Sequence, residues 1–202
     1  MAVSNLYCRR EGDSLRISWA WTPDRSTASI TLLRALDGAV LATQQVSRAA
    51  YDQAIASPQG SLACKAPAEP VIVRLEDEDG SCEYELLSPK YVVEWRFVNK
   101  NIFSRGGLFS RPQLQRVERY MQLRYPCEVP APQGMFYYTL SGRGAGQEEG
   151  FRGVLPGMHK GINTYGLLLA PGGRTLQLHC DLQQDEKKAR LFQFRQLPDL
   201  EE

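Results

Sequence analysis

The chain has 202 residues, of which 43% are hydrophobic and 23% charged, with 17 Gly and 12 Pro. This length allows one large domain or two small ones, and the composition excludes a disordered or fibrous chain. The 24 basic and 23 acidic residues leave a net charge of +1, so no overall field favours nucleic acid or an anionic membrane as a partner.

The N-terminal residues and the cysteines predict a cytoplasmic protein. Arg9, Arg10 and Glu11 interrupt the region where a secretory signal would need a continuous apolar core. The apolar run at residues 167–170 is far shorter than the roughly 20 residues that cross a bilayer, so no membrane association is expected. The five cysteines are widely spaced and include no Cys-x-x-Cys pair, which favours reduced thiols.

Alternation of apolar and polar residues dominates the first half of the chain, as expected for strands with one buried face. Asp37-Gly38 lies between two such segments and predicts a hairpin. The acidic residues 76–79 predict a second hairpin, with Asp79-Gly80 at positive φ, rather than a calcium loop. Residues 47–56 predict a helical turn. The predicted strands are residues 14–21, 30–33, 40–46, 71–75 and 82–86.

The second half continues the same alternation without interposed helical patterns, which argues against a parallel α/β fold. The predicted strands are residues 91–97, 116–125, 135–140, 164–169, 175–180 and 189–194. We therefore predict an all-β chain of antiparallel sheets. Ser88-Pro89 breaks the pattern and predicts two domains, residues 1–89 and 90–202. The first carries 8 Lys/Arg and 12 Asp/Glu, a net −4, and the second 16 and 11, a net +5.

Part of the first half resembles a known family. Residues 13–23, with Trp19 before Thr22-Pro23, resemble the second strand of a fibronectin type III domain, and residues 71–89 resemble its sixth and seventh strands. The resemblance implies a fibronectin type III-like, immunoglobulin-like β-sandwich over residues 1–89, with Trp19 between its two sheets. It also implies an interaction module or spacer. For residues 90–202 a diverged sandwich and a different small barrel are the two alternatives.

Catalytic and metal-binding residues are scarce. Nucleophilic catalysis needs a base such as histidine beside Ser or Cys, and the chain has only His159 and His179. Neither has a partner that the sequence identifies. His179 and Cys180 are adjacent in a predicted strand and point to opposite faces, so they do not share one metal ion. We expect a protein that is not an enzyme and holds no metal or other cofactor.

One strand of the second half is strongly basic. On an extended strand Arg116, Tyr120 and Arg124 share a face, whereas Arg119 points to the other. Interleaved basic and aromatic side chains can hold anionic ligands. We expect an acidic protein as the partner, because the chain has no nucleic-acid-binding motif; an ordinary solvated sheet face is the alternative. Arg105 and Arg111 add to the basic character of this region.

These features predict a non-catalytic protein–protein interaction or scaffold module. The alternative is a carbohydrate- or polymer-binding module that uses some of the 9 Tyr, 7 Phe and 3 Trp as an exposed platform. The positions of Trp19 and Trp95 discriminate between the two. Buried tryptophans favour a scaffold, and a flat exposed aromatic row favours sugar binding.

Overall fold

The fold is that of a computed structural model, which describes residues 4–21, 24–103, 113–141, 151–166, 175–180 and 186–202. The chain divides into two compact units, Met1–Lys90 (unit 1) and Tyr91–Glu202 (unit 2). The division lies one residue after the predicted domain boundary. Strands account for most of the described residues in both units, which confirms the all-β class.

Unit 1 contains seven strands and one helix within its described residues. They are β1 (Ser4–Glu11), β2 (Ser14–Ala20), β3 (Thr27–Arg34), β4 (Val40–Ser47), α1 (Arg48–Ala56), β5 (Leu62–Lys65), β6 (Val71–Asp77) and β7 (Gly80–Leu86). One sheet has the order β1-β2-β5 and the other β4-β3-β6-β7, with antiparallel pairing throughout.

The two sheets of unit 1 share one hydrophobic core. Leu15 and Ile17 of β2 and Val73 and Leu75 of β6 are fully buried and belong to the same cluster. Because alternate residues of a strand point to opposite faces, each of these strands buries every second side chain. Each such side chain contributes about 1.5–3 kcal/mol through removal of apolar surface from water.

Helix α1 is fixed to strand β2 by a tyrosine. Ser47 caps the helix by accepting a hydrogen bond from the backbone N–H of Ala50 (3.3 Å). The Tyr51 hydroxyl accepts from the Trp19 N–H (2.8 Å) and donates to the Trp19 carbonyl (2.7 Å). Pairing of β2 with β5 stops at Ile17, so the phenol takes the place of a strand partner at Trp19. The predicted helix at residues 47–56 is confirmed.

Both predicted hairpins of unit 1 form, but the acidic turn differs in detail. Asp77 pairs with Gly80, so Glu78 and Asp79 occupy the two central positions. The Asp77 carboxylate accepts hydrogen bonds from the N–H groups of residues 79 and 80 (2.9 and 3.1 Å). Gly80 has a positive φ (158°), as predicted, whereas Asp79 is not among the residues with a positive φ, so the prediction was wrong for Asp79. Arg25 forms ion pairs with Glu78 and Asp79.

Unit 2 contains eight strands and one short helix within its described residues, and its first two strands, of 13 and 12 residues, are longer than any in unit 1. They are β8 (Tyr91–Phe103), β9 (Leu114–Tyr125), β10 (Phe136–Ser141), β11 (Phe151–Val154), β12 (Gly161–Gly166), β13 (Thr175–Cys180), α2 (Glu186–Ala189), β14 (Phe192–Gln196) and β15 (Leu200–Glu201). The larger sheet has the order β12-β9-β8-β14, with β15 also pairing with β8, and the smaller sheet has the order β11-β10-β13.

The prediction of purely antiparallel sheets was wrong in unit 2. Strands β14 and β15 run parallel to β8, with Phe192 opposite Tyr91 and Leu200 opposite Val98. An alternating pattern reports which face of a strand is buried but carries no information on the direction of its neighbour. The strand predicted at residues 189–194 begins only at Phe192, because the preceding residues include α2.

Aromatic side chains join the two sheets of unit 2. The ring of Phe136 on β10 contacts the rings of Phe192 (5.1 Å between centroids) and Phe194 (5.8 Å) on β14. Tyr125 of β9 completes the group, with its ring 6.0 Å from that of Phe136. Edge-to-face pairs of this kind add about 0.5–1.5 kcal/mol beyond area burial. One side of the larger sheet therefore packs in the core of unit 2, and the candidate site lies on its other side.

Candidate functional site

The candidate site lies on the side of the larger unit 2 sheet that faces away from the core. On β9, Met121 and Leu123 are fully buried, so the alternate residues Tyr120 and Arg124 point to the opposite side of the sheet. Arg124 exposes 71% of its side chain. The backbone of Arg116 pairs with Ile102, but its side chain lies outside the described residues. The same holds for all of Arg105 and Arg111.

A row of four side chains crosses the sheet at Arg124. Ile162 of β12 lies opposite Arg124, Arg124 lies opposite Glu94 of β8, and Glu94 lies opposite Arg195 of β14. Arg195 forms an ion pair with Glu94, and the Arg124 guanidinium lies 3.7 Å from the same carboxylate. The hydrogen bond from Arg195, with the charge of both arginines, holds the pKa of Glu94 below its usual range.

Arg96 adds a further positive charge beside this row. Its guanidinium donates two hydrogen bonds to the Gln122 amide oxygen (3.0 and 2.9 Å). An amide fixes the orientation of the arginine but leaves its charge uncompensated. Arg124 and Arg195 therefore lie at Glu94, Arg96 lies two residues further along β8, and this part of the sheet is positive. Tyr120 donates a hydrogen bond to Glu118 at the adjacent part of the strand.

Two shallow depressions flank Arg124 and Glu94, and we call the surface that contains them the arginine face. The smaller has a volume of about 130 Å³ and includes Ile162 and Leu197. The larger has a volume of about 360 Å³ and includes Val92 and Lys160. Ile162 is 65% exposed. Exposed apolar and cationic side chains are thus adjacent at both depressions.

Arg119 occupies the opposite side of β9, as predicted from the alternation. Its guanidinium lies 4.0 Å from the centroid of the Phe97 ring and 3.1 Å from the Asp199 carboxylate. The side chain remains 40% exposed. Arg119 therefore lies at the rim of the core, where a cation–π contact and an ion pair hold it, and it does not contribute to the arginine face.

The two histidines make different contacts in the described part of the chain. The Nε2 atom of His179 lies 2.9 Å from Thr139 Oγ1, and its ring stacks on Tyr137 at 4.9 Å. The His159 backbone N–H donates to the side-chain oxygen of Asn163 (3.2 Å). Among the described residues, no three His, Cys, Asp or Glu side chains are grouped so that they could hold a metal ion.

The tryptophans that discriminate between scaffold and sugar platform are both buried. Trp19 is 6% and Trp95 5% exposed, and the Trp19 ring packs 3.9 Å from that of Tyr51. The prediction that Trp19 lies in the core of the first unit is confirmed. Neither side chain is available as a flat binding platform.

The described cysteines Cys8, Cys64 and Cys82 are free thiols, and Cys127 is buried. Burial, with a smaller effect from Cys64 and Cys82, raises the pKa of Cys8 from its ordinary 9.0 to about 12. The nucleophilic form of this thiol is therefore scarce at neutral pH. The side chain of Cys180 is outside the described residues.

Sequence reasoning identified Tyr120 and Arg124 but missed Glu94, Arg195 and Ile162. Alternation places each of these side chains on one face of its own strand. It does not show which strands are neighbours or in what register, and Glu94 and Arg195 are 101 positions apart. The signal that could have indicated Glu94 and Arg195 was a charged residue at a solvent-facing position of each strand. Most sheets have such residues, so this signal does not distinguish a site.

Comparison with known proteins gave no match to a protein family, to a curated protein or to a solved structure. Neither helix in the described part of the chain has the length and apolar character needed to cross a membrane.

Proposed function

We propose that the protein is a non-catalytic protein–protein interaction or scaffold module, built from two tandem β-sandwich domains, and that its arginine face binds an acidic protein. The observation that carries the proposal is the pair Arg124 and Arg195 at Glu94, with Arg96 and the exposed Ile162 lining the same depression. Apolar contact and complementary charge together are the usual basis of a protein interface.

The fold of unit 1 supports the sandwich part of the proposal. Its seven described strands are divided between sheets of three and four that bury one common core. Seven strands in two packed sheets is the arrangement of a constant-type immunoglobulin domain, to which fibronectin type III domains are similar in architecture. Unit 2 also packs a larger sheet on a smaller one, with the parallel strands β14 and β15 as its departure from this plan.

The charges support an acidic partner. Glu94 is already held by Arg195, so the 71% exposed Arg124 is only weakly engaged by it at 3.7 Å. Lys160 lines the same depression and is 55% exposed, although it forms an ion pair with Glu128. A carboxylate of the partner between Arg124 and Lys160 would be attracted by both, while an apolar residue contacts Val92 or Ile162.

The cytoplasm is the proposed location. The free thiols of Cys8, Cys64 and Cys82 support it, because thiols persist where the environment is reducing.

The test compares partner capture by the wild-type chain and by an Arg124→Gln, Lys160→Gln double variant, at low and at high salt. Glutamine removes both charges without placing a carboxylate beside Glu94 or Glu128. We expect the variant to capture the acidic partner several-fold less at low salt, and wild-type capture to fall as salt screens charges beyond about 8 Å.

The matched control is an Arg9→Gln, Arg48→Gln double variant, which removes two exposed positive charges from unit 1. It should capture as the wild type does. Equal capture by the wild type and the Arg124→Gln, Lys160→Gln variant would refute the arginine face as the binding surface.

A further inference from the structure

Strand β4 is an edge strand of unit 1 whose outer side has no strand partner among the described residues. It lies at the end of the four-stranded sheet and pairs with β3 alone. Within residues 4–21 and 24–90, no other backbone segment hydrogen-bonds to its outer side. An unpaired edge of eight residues presents a row of N–H and C=O groups to any strand of matching shape.

The composition of β4 does not protect this edge. Its sequence, VLATQQVS, has no charged residue and no proline. The opposite edge of the same sheet, β7, carries Glu83 and Glu85, and the edge strand β1 of the other sheet carries Arg9, Arg10 and Glu11. Charged side chains on an edge discourage pairing with another copy, because like charges would face each other.

The side chains of β4 show where the sheet is incomplete. Ala42 lies opposite Leu32 and Gln44 opposite Ile30, so both point to the core side of the sheet. Leu32 and Ile30 are only 4% and 3% exposed, yet Ala42 and Gln44 are exposed. The covered face of the sheet therefore ends partway along β4: Val46, on the same side, is 3% exposed, whereas Ala42 and Gln44 are uncovered and have an open strand position beside them.

We propose that β4 pairs with β4 of a second copy of this chain, antiparallel and about a two-fold axis, so that two sheets become one. In such a pair the residue on the two-fold axis lies opposite its own copy, so a charged residue there would face a like charge, and β4 has no charged residue at any position. When Gln44 lies opposite Gln44, the core-facing side chains of one copy lie beside the core-facing side chains of the other, and the solvent-facing side chains likewise lie together. Ala42 then lies opposite Val46, and Thr43 opposite Gln45.

The experiment uses the full chain in sedimentation equilibrium over a concentration series from low micromolar to near millimolar. We expect a reversible dimer for the wild type. Gln44→Lys and Gln44→Glu should each weaken it by at least about tenfold, because each puts two like charges face to face on the axis. An equimolar mixture of the two variants should restore dimerisation through a Lys–Glu pair.

The matched controls are Gln53→Lys and Gln53→Glu, at an exposed position of α1 away from the edge, which should dimerise as the wild type does. Circular dichroism checks that each variant is folded. As a second readout, hydrogen exchange of β4 amides in the wild type should slow as concentration increases.

A wild type that remains monomeric across the series refutes the proposal. So does a dimer that Gln44→Lys leaves unchanged, or one whose β4 amides exchange at the same rate at every concentration. The arginine face lies in unit 2, so none of these results bears on acidic-partner binding.

Discussion

Replacing Tyr51 with phenylalanine should destabilise unit 1 although it removes a single oxygen atom. The Tyr51 hydroxyl satisfies both the N–H and the C=O of Trp19, at 2.8 and 2.7 Å. Trp19 is 6% exposed, so water does not readily replace the phenol. An unsatisfied buried polar group costs about 1–3 kcal/mol, and for the two groups we expect a total loss of about 2–6 kcal/mol.

The matched control is Tyr165→Phe. The Tyr165 hydroxyl is buried and has no hydrogen-bond partner among the described residues. Its removal deletes a desolvated group that makes no bond, so the free energy of unfolding should stay the same or increase. The same substitution is thus expected to have opposite consequences at the two sites.

Hydrogen exchange in increasing urea measures both effects, because peptides from β2 and α1 report unit 1 and peptides from β12 report unit 2. In Tyr51→Phe the Trp19 amide should exchange much faster than in the wild type. A loss below about 0.5 kcal/mol for Tyr51→Phe, the range of an ordinary surface substitution, would refute the reasoning. So would an equal loss for Tyr165→Phe.

Three further outcomes are expected. Trp19→Ala should cost about 3–5 kcal/mol in chemical denaturation, and an unchanged midpoint would contradict its place in the core. Arg119→Glu places a carboxylate beside Asp199 and removes the cation from Phe97, so thermal melting should show a loss of about 1–2 kcal/mol without unfolding and with partner capture intact. Because burial raises the pKa of Cys8 from 9.0 to about 12, its contribution to the unfolding free energy should be constant well below pH 9.0 and should fall from there to about pH 12, since the unfolded thiol ionises first. A Cys8→Ala variant should therefore show a shallower fall in alkaline denaturation, and an identical slope would contradict this.

The sequence predicts the burial of individual strands well because the side-chain period of a strand is two. For β2, β6 and the second half of β9 this period alone separates core from solvent side chains. The helix α1 is readable from its Ser47 cap and the following residues. Strands β1 and β5 were not predicted from the sequence. Charged residues interrupt the alternation in β1, and β5 has only four residues, too few to show a clear alternation.

The site is less predictable than the fold because it depends on pairing between distant segments. Tyr120 and Arg124 are on one strand, and their shared side follows from the alternation. Glu94 and Arg195 join them only through the register of β9 with β8 and of β14 with β8. Local sequence preferences do not encode that register, so the charge balance around Arg124 could not be worked out in advance.

The parallel pairing of β14 and β15 with β8 has a consequence for how unit 2 reaches its native state. Phe97 and Asp199 are 102 positions apart and are joined by a hydrogen bond, whereas β6 and β7 meet across a two-residue turn. A high relative contact order slows folding, because a long loop loses its freedom before the contacts that compensate for it exist. After dilution from denaturant, the β8 amides that face β14 and β15 should therefore gain protection later than the amides of β6. In that interval the side of β8 that β14 covers in the native sheet is open to incorrect pairing.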